Sequence, residues 1–240
     1  MNPSVIQNQL HLAGMTGRGV RVAVIDSGIN PAHTHVAGIA GGVRITSSGE
    51  DHNYLDYIGH GTAVAGAIRE TASEVELLAV KVFDQSLTAS IDLIIRAIEW
   101  AIDHDADLIN LSLGTLNERH RERFAEVVER AATRHQVMIA AREISGAAAL
   151  PGSLPAVTGV GIDRDCPPLT YRCHLGNEQT TFLASGYARQ IPGVPAERNL
   201  NGISFAVARM TGFAALARQM LGRCDPATLK QKLIEAAQPV

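Results

Sequence analysis

Three short segments of the chain carry residue types that together could perform nucleophilic catalysis. Asp26 ends the apolar run 22–25, His60 lies between two glycines ahead of a run of small residues, and Ser204 opens a long apolar stretch. A serine hydroxyl becomes a nucleophile only beside a base, and histidine is that base near neutral pH. An aspartate orients the imidazole and stabilises the imidazolium. The three residues could therefore form a catalytic triad.

Each of these residues also has a structural interpretation. A strand-ending aspartate such as Asp26 is often a turn former or helix cap, and a single histidine is usually structural. Ser204 could be the N-cap of the helix that follows it. The start of a helix also offers free N–H groups and positive potential, which suit a tetrahedral adduct on a serine. The three segments together, in the order Asp, His, Ser, favour the catalytic interpretation.

The elements that must position these residues alternate along the chain. Short β-branched runs predict strands, and several are apolar throughout, as in strands covered on both faces. The predicted strands are Val20–Ile25, Gly42–Thr46, Val75–Phe83, Asp107–Leu113, Val137–Ala141, Val157–Ile162 and a weaker one near Thr180–Ala184. The predicted helices are Gly61–Glu70, Ser90–Asp103, Glu118–Arg134, Ser204–Leu221 and Pro226–Ala237. This alternation predicts an α/β fold of three layers, α/β/α, with a mostly parallel central sheet.

The three segments resemble the motifs of a known family. VAVIDSG at 22–28, GHGTAVAG at 59–66 and NGISFAVA at 201–208 are similar to the Asp, His and Ser motifs of the subtilisin-like serine peptidases, the subtilases. The resemblance implies that Asp26, His60 and Ser204 are the catalytic triad. Residues 108–114 and 137–141 are similar to the two strands that bind the substrate backbone in that family. The substrate-binding residues implied are Leu111, Ser112, Leu113, Gly114, Ala140 and Ala141.

One segment departs from the family pattern. Arg142 and Glu143 stand where the family usually has Gly-Asn, and that Asn donates a hydrogen bond to the oxyanion. An ionised glutamate has no proton to donate, and losing such a donor typically costs about 10²–10³ in turnover. Burial could keep Glu143 protonated, Arg142 or a loop N–H could donate instead, or substrate could reorganise the loop. Arg142 would fill the base of the specificity pocket or favour an acidic substrate group.

Composition limits the remaining possibilities. The chain has 240 residues, 46% of them hydrophobic and 19% charged, which predicts one domain over residues 1–240. A net charge of −3 with no basic block argues against nucleic acid as a partner. No apolar run is long enough for a membrane span, and the N-terminal residues lack a signal-peptide pattern. Three cysteines favour a reduced, cytoplasmic setting, although a Cys166–Cys173 bridge or a metal site stays open.

The resemblance carries two further expectations. The stretch 66–78 is shorter than the family's usual connection, so we expect no structural calcium there, and no metal or cofactor elsewhere. The chain also begins close to the start of a mature subtilase domain, so we expect no propeptide, unless the chain is one domain of a larger protein.

The leading hypothesis is a cytoplasmic serine peptidase that works through an acyl-enzyme on a dedicated peptide or precursor-protein substrate, with ligation as a variant. A pseudopeptidase that binds a peptide or protein partner is the alternative. A nucleotide-binding domain is a third, although the glycines at 38–42 form no G-x-G-x-x-G. The charged run 118–123 could be a partner site or a solvated helix face. The oligomeric state is left open.

Overall fold

A computed structural model describes residues 12–84, 86–176 and 180–237 of the chain. The larger part of the N-terminal segment without a signal-peptide pattern lies outside these residues. The strands, in chain order, are β1 Arg21–Asp26, β2 Gly41–Thr46, β3 Gly49–Asp51, β4 Glu76–Lys81, β5 Leu108–Leu111, β6 Val137–Ala141, β7 Glu143–Ile144, β8 Ala147–Ala148, β9 Thr158–Ile162, β10 Tyr171–Leu175 and β11 Thr180–Ala184. The helices are α1 His60–Thr71, α2 Ile91–Asp103, α3 Arg121–Thr133, α4 Ile203–Leu221 and α5 Pro226–Glu235, with 3₁₀ turns at Glu118–His120 and Ala196–Arg198.

Nine of these strands form one sheet, in the order β10-β11-β9-β6-β5-β1-β4-β2-β3. The seven central strands are parallel to one another, and the outer strands β10 and β3 pair antiparallel. Strands β7 and β8 form a separate hairpin. The carboxyl ends of the central strands therefore meet at one edge, where α/β folds place functional groups.

Helices cover both faces of the sheet. Helices α1, α4 and α5 pack on one face around side chains such as Val22, Val24 and Ile68. Helices α2 and α3 pack on the other around side chains such as Ile25, Ile98 and Phe124. Alternate residues of each strand feed the two cores, and for this reason the strands are apolar throughout. The fold is the predicted three-layer α/β/α arrangement with a mostly parallel sheet.

The predicted elements are all present, and their ends differ by no more than two residues except at the start of the helix predicted over 118–134. The predicted helix 118–134 begins as a 3₁₀ turn and becomes α-helical at Arg121. The charged run at its start is mostly exposed, and Arg121 pairs with Glu118 there, which fits a solvated face. Four short strands, β3, β7, β8 and β10, were not predicted. In the described part of the chain no helix is long and apolar enough to span a membrane.

Candidate active site

Asp26 and His60 meet where β1 ends and α1 begins. The His60 Nδ1 lies 2.7 Å from the Asp26 Oδ1, the length of a charge-assisted hydrogen bond. The same oxygen accepts from the Ser27 N–H at 2.7 Å, and the Asp26 side chain is buried. The second residue of α1 must be glycine, because a Cβ at Gly61 would clash with the Gly28 carbonyl and approach the Asp26 Cβ to 3.2 Å. This close contact between α1 and the end of β1 places the His60 imidazole within hydrogen-bond distance of the Asp26 carboxylate.

A second carboxylate, Asp56, stabilises the loop before α1. It accepts hydrogen bonds from the Ser27 hydroxyl, the Ile58 and Gly59 N–H groups, and both the N–H and hydroxyl of Thr62. Burial alone would raise the pKa of Asp56, but the hydrogen bonds from Thr62, Gly59 and Ser27 outweigh it and hold the pKa below its ordinary value. Asp56 is therefore an anion beside the histidine. Asp56 has no signature in the sequence, because a lone aspartate in a loop is indistinguishable from a turn former.

The two carboxylates set the basicity of His60. Burial would lower the pKa of His60, but the hydrogen bond to Asp26 and the negative charges of Asp26 and Asp56 outweigh burial and raise it above its ordinary value. A more basic imidazole is a stronger proton acceptor once it is neutral.

Ser204 is the second residue of α4, and Gly202 is the N-cap. The N-cap interpretation of Ser204 is therefore wrong: no side chain caps this helix. Instead the Ser204 hydroxyl donates to the Ser112 carbonyl at 3.3 Å. That distance is long for an O–H···O bond.

No hydrogen bond joins His60 to Ser204 in the described structure. The His60 ring centroid lies 5.8 Å from that of Phe205, the residue after Ser204. The expected contact of His60 with both partners is thus made with Asp26 alone. Catalytic hydrogen bonds are often loose without substrate.

The first predicted substrate strand reaches Ser204 through Ser112. Leu111 is buried in β5, and Ser112 follows it with its carbonyl on the Ser204 hydroxyl. The Asn110 amide donates to the Ser112 hydroxyl at 3.0 Å and accepts from the Thr211 hydroxyl of α4 at 2.9 Å. This buried chain fixes the register of α4 against β5. Asn110 was not predicted to have this role, because in the sequence it is a single polar residue within an apolar strand.

The space beside Gly114 is partly filled. A Cβ at Gly114 would lie 3.3 Å from the Ile144 Cδ1 and 3.4 Å from the Ala149 Cβ. Leu113 is partly buried against the α2–α3 core. On the facing side, Ala140 and Ala141 are buried at the end of β6. The predicted substrate residues therefore lie at the carboxyl ends of two adjacent strands.

Arg142 and Glu143 lie directly after β6. The Arg142 side chain is half-buried, and its Cβ and Cδ cover Gly159 of β9. Glu143 is exposed on β7, in a hairpin whose turn residues Ser145 and Gly146 both have positive φ. The burial considered for Glu143 in the sequence is therefore absent.

The three cysteines Cys166, Cys173 and Cys224 are unpaired. The Cys166–Cys173 bridge is therefore absent. Among the residues that the structure describes, no group of three or more His, Cys, Asp or Glu side chains could hold a metal ion.

Comparison with known proteins identifies the family. The model described as the subtilase family matches residues 17–158, a segment that includes Asp26 and His60 but ends before Ser204. Subtilisin E of Bacillus subtilis (strain 168) is 32% identical over 232 residues, covering 86% of this chain and 57% of that protein. The chain belongs to the subtilase family. Subtilisin of Bacillus pumilus is also 32% identical over 232 residues, covering 86% of this chain and 79% of that subtilase.

Solved subtilase-like structures match the fold. A cold-adapted subtilisin-like serine proteinase superposes with a TM-score of 0.76 at 24% identity, covering 94% of this chain and 85% of that one. A lanthipeptide protease superposes with a TM-score of 0.71 at 19% identity, covering 95% and 86%. The chain spans a little over half the length of subtilisin E.

Proposed function

We propose that this subtilase is a serine peptidase in which Ser204 is the nucleophile, His60 the general base and Asp26 the residue that orients His60. The observation that carries the proposal is the 2.7 Å contact between the His60 Nδ1 and the buried Asp26 carboxylate. With Nδ1 committed to Asp26, the other ring nitrogen is the one that takes the Ser204 proton and later gives it to the leaving amine.

The start of α4 supports a role in stabilising the tetrahedral adduct. The N–H groups in the first turn of a helix have no partner within the helix, and Ser204 lies in that turn. They and the helix dipole favour negative charge on the substrate oxygen. The exposed Glu143 supplies no donor while it is ionised, so we propose that turnover is slow compared with a peptidase that has a neutral donor there.

We further propose that the substrate is a dedicated peptide or precursor protein. Ile144 and Ala149 crowd the space beside Gly114, and Arg142 covers Gly159 at the adjoining strand end. A crowded site with the Arg142 cation beside it accepts few kinds of substrate side chain. The lanthipeptide protease acts, by its name, on one class of peptide, but the proposal for this chain rests on its own residues.

We place this activity in the cytoplasm. The three unpaired thiols support a reducing compartment.

Labelling with a fluorophosphonate probe tests the proposed nucleophile. We expect one label on the peptide that contains Ser204, with labelling lost in Ser204→Ala and strongly reduced in His60→Ala. Ser48→Ala is the matched control, because Ser48 is exposed on the β2–β3 turn. A folded parent protein that takes no label would overturn the proposal and favour a protein that only binds peptides.

The proposed restriction is tested separately on the labelled enzyme. Digestion of a random peptide mixture should give cleavage at few sequences, read by mass spectrometry of the new termini. Cleavage at many unrelated sequences would contradict a dedicated substrate.

A further inference from the structure

A cavity of about 430 Å³ lies beside the start of α1. Its walls come from the loop after β1, the first turns of α1 and the loop before α4, and none comes from residues 111–114 or 140–141. We name it the α1 cavity. Its lining includes residues next to the candidate active site in the chain, since Gly59 precedes His60 and Leu200 lies on the segment that leads into Ser204.

The α1 cavity is lined by Gly59, the neighbour of His60, and by none of the predicted substrate residues 111–114 and 140–141. In the proposed mechanism His60 protonates the leaving amine, so the peptide beyond the scissile bond must pass the imidazole. The α1 cavity is therefore the candidate site for the substrate residues that follow the scissile bond.

Arg189 gives the α1 cavity a cation. Arg189 is half-buried, its guanidinium donates to the His35 carbonyl at 3.2 Å, and it forms no ion pair with any carboxylate in the described part of the chain. Five donors in this head group leave it able to take a carboxylate in a forked, two-bond contact.

The other charged groups around the α1 cavity do not cancel this cation. Asp56 is the one carboxylate among the described lining residues, and it already accepts five hydrogen bonds. Burial is the main cause that lowers the pKa of His35, the positive charge of Arg189 and the neighbouring His33 lower it further, and the charge of Glu70 opposes them. The lowered pKa keeps His35 neutral at pH 7, so Arg189 is the permanent cation here.

We propose that the α1 cavity binds a carboxylate in the part of the substrate that follows the scissile bond, and that Arg189 selects for it. The carboxylate could be an acidic side chain or a peptide C-terminus, since both present the same group. Ile191 and Leu200 supply apolar wall for the carbon atoms that carry it. The inference rests on the proposed peptidase function.

Partition of an acyl-enzyme tests this selection without knowledge of the natural substrate. The enzyme is acylated with a p-nitrophenyl ester, and the dipeptide amides Ala-Asp, Ala-Asn and Ala-Lys compete with water for the acyl group. The ratio of peptide to acid, read by chromatography, is normalised internally because both products come from one intermediate. We expect Ala-Asp amide to be favoured over Ala-Asn amide by about tenfold, the effect of one charged hydrogen bond.

Variants of Arg189 identify the cation responsible. In Arg189→Gln the Asp/Asn ratio should fall to about one, and Arg189→Lys should keep an intermediate ratio because it retains the charge without the fork. Arg198→Gln is the control, since Arg198 is exposed and outside the lining. Ala-Ala with a free C-terminus, compared with its amide, separates a terminal carboxylate from a side chain. An equal ratio in the parent protein and in Arg189→Gln would overturn the proposal.

A failure of the peptidase function is distinguishable from a failure of this inference. If the parent protein takes no fluorophosphonate label, NMR of the His33 and His35 ring protons during titration with Ala-Asp and Ala-Asn amides reads the α1 cavity without turnover. Perturbation by Ala-Asp alone, lost in Arg189→Gln, would support the site. Equal perturbation by both amides, or none, would overturn it.

Discussion

His60 is held between two carboxylates that act in different ways. Asp26 touches the ring and fixes its orientation, whereas Asp56 acts on the ring by charge alone while its oxygens bind the loop. The two effects are separable in principle, because Asp56 makes no direct contact with the Asp26–His60 hydrogen bond. Asp56 is in this sense a positioning residue whose second effect is on basicity.

Asp56→Asn should shift the acid limb of the pH–rate profile to lower pH. His60 acts as a base only when neutral, and the negative charge of Asp56 raises its pKa, so removing that charge lowers the pH at which activity appears. The rate of fluorophosphonate labelling against pH measures the limb. Asp51→Asn, at a carboxylate paired with Arg44 away from His60, is the control. An unchanged limb in Asp56→Asn would show that its charge does not reach the imidazole.

Glu143→Asn should be at least as active as the parent protein. The change replaces a carboxylate by a neutral amide that can donate to an oxyanion. Initial rates of ester hydrolysis across the pH range measure the effect, with Glu126→Gln on the exposed side of α3 as the control. A large loss of activity in a folded Glu143→Asn would mean that Glu143 has a positive role, such as gripping a basic substrate group.

At the level of elements, the reacting residues depend on how α1 and α4 cross. A Cβ at Gly212 of α4 would lie 2.5 Å from the Thr71 Cβ of α1, so the helices approach closely there. The buried Arg209 of α4 pairs with Glu70 of α1 at 3.0 Å and donates to the carbonyls of Tyr187 and Pro168. These contacts fix the helix that carries Ser204 against the helix that carries His60.

Arg209→Met should destabilise the fold by about 3–5 kcal/mol, because Glu70 is left as an uncompensated, partly buried charge. Urea unfolding gives the free energy of unfolding. Arg223→Met, which removes an exposed partner of Asp105, should change it by less than about 1 kcal/mol. Adding Glu70→Gln to Arg209→Met should recover part of the loss. A loss below about 1 kcal/mol in Arg209→Met would contradict a structural role for the pair.

Periodicity predicted the elements that have strong patterns and missed those that do not. Strands β1 and β6 are apolar runs whose ends fall within a residue of the prediction. Strand β10 has the polar sequence YRCHL, and the β7–β8 hairpin has two residues in each strand, so neither shows a period. The Ser145-Gly146 dipeptide was the available sequence signal for that hairpin. In the structure both of these residues have positive φ, as a tight turn requires.

At the level of the whole molecule, the separation of residues along the sequence explains which parts of the site were predictable. The motifs around Asp26, His60 and Ser204 are local, so sequence alone identified them. The α1 cavity and the Asn110–Thr211 hydrogen bond join residues far apart in the chain. Their partners are defined only once the sheet order brings β5 beneath α4, and no local pattern encodes that contact.

The fold should be independent of calcium. The connection from α1 to β4 is short, and the described residues offer no cluster of three or more acidic, histidine or cysteine side chains. A chelator should therefore leave the melting temperature unchanged, read by circular dichroism with magnesium as the control ion. A rise of several degrees on adding calcium would refute this, because a ligand that binds only the native state must stabilise it.

The crossing of α1 and α4 also has a consequence for the newly made chain. His60 is translated early and Ser204 late, and at about 5–20 residues per second the ribosome needs on the order of ten seconds to travel between them. Until α4 has emerged, the nascent chain holds a base without a nucleophile. A ribosome-stalled chain that stops short of α4 should therefore be inert toward fluorophosphonate, and the order of synthesis itself protects the unfinished protein from its own serine.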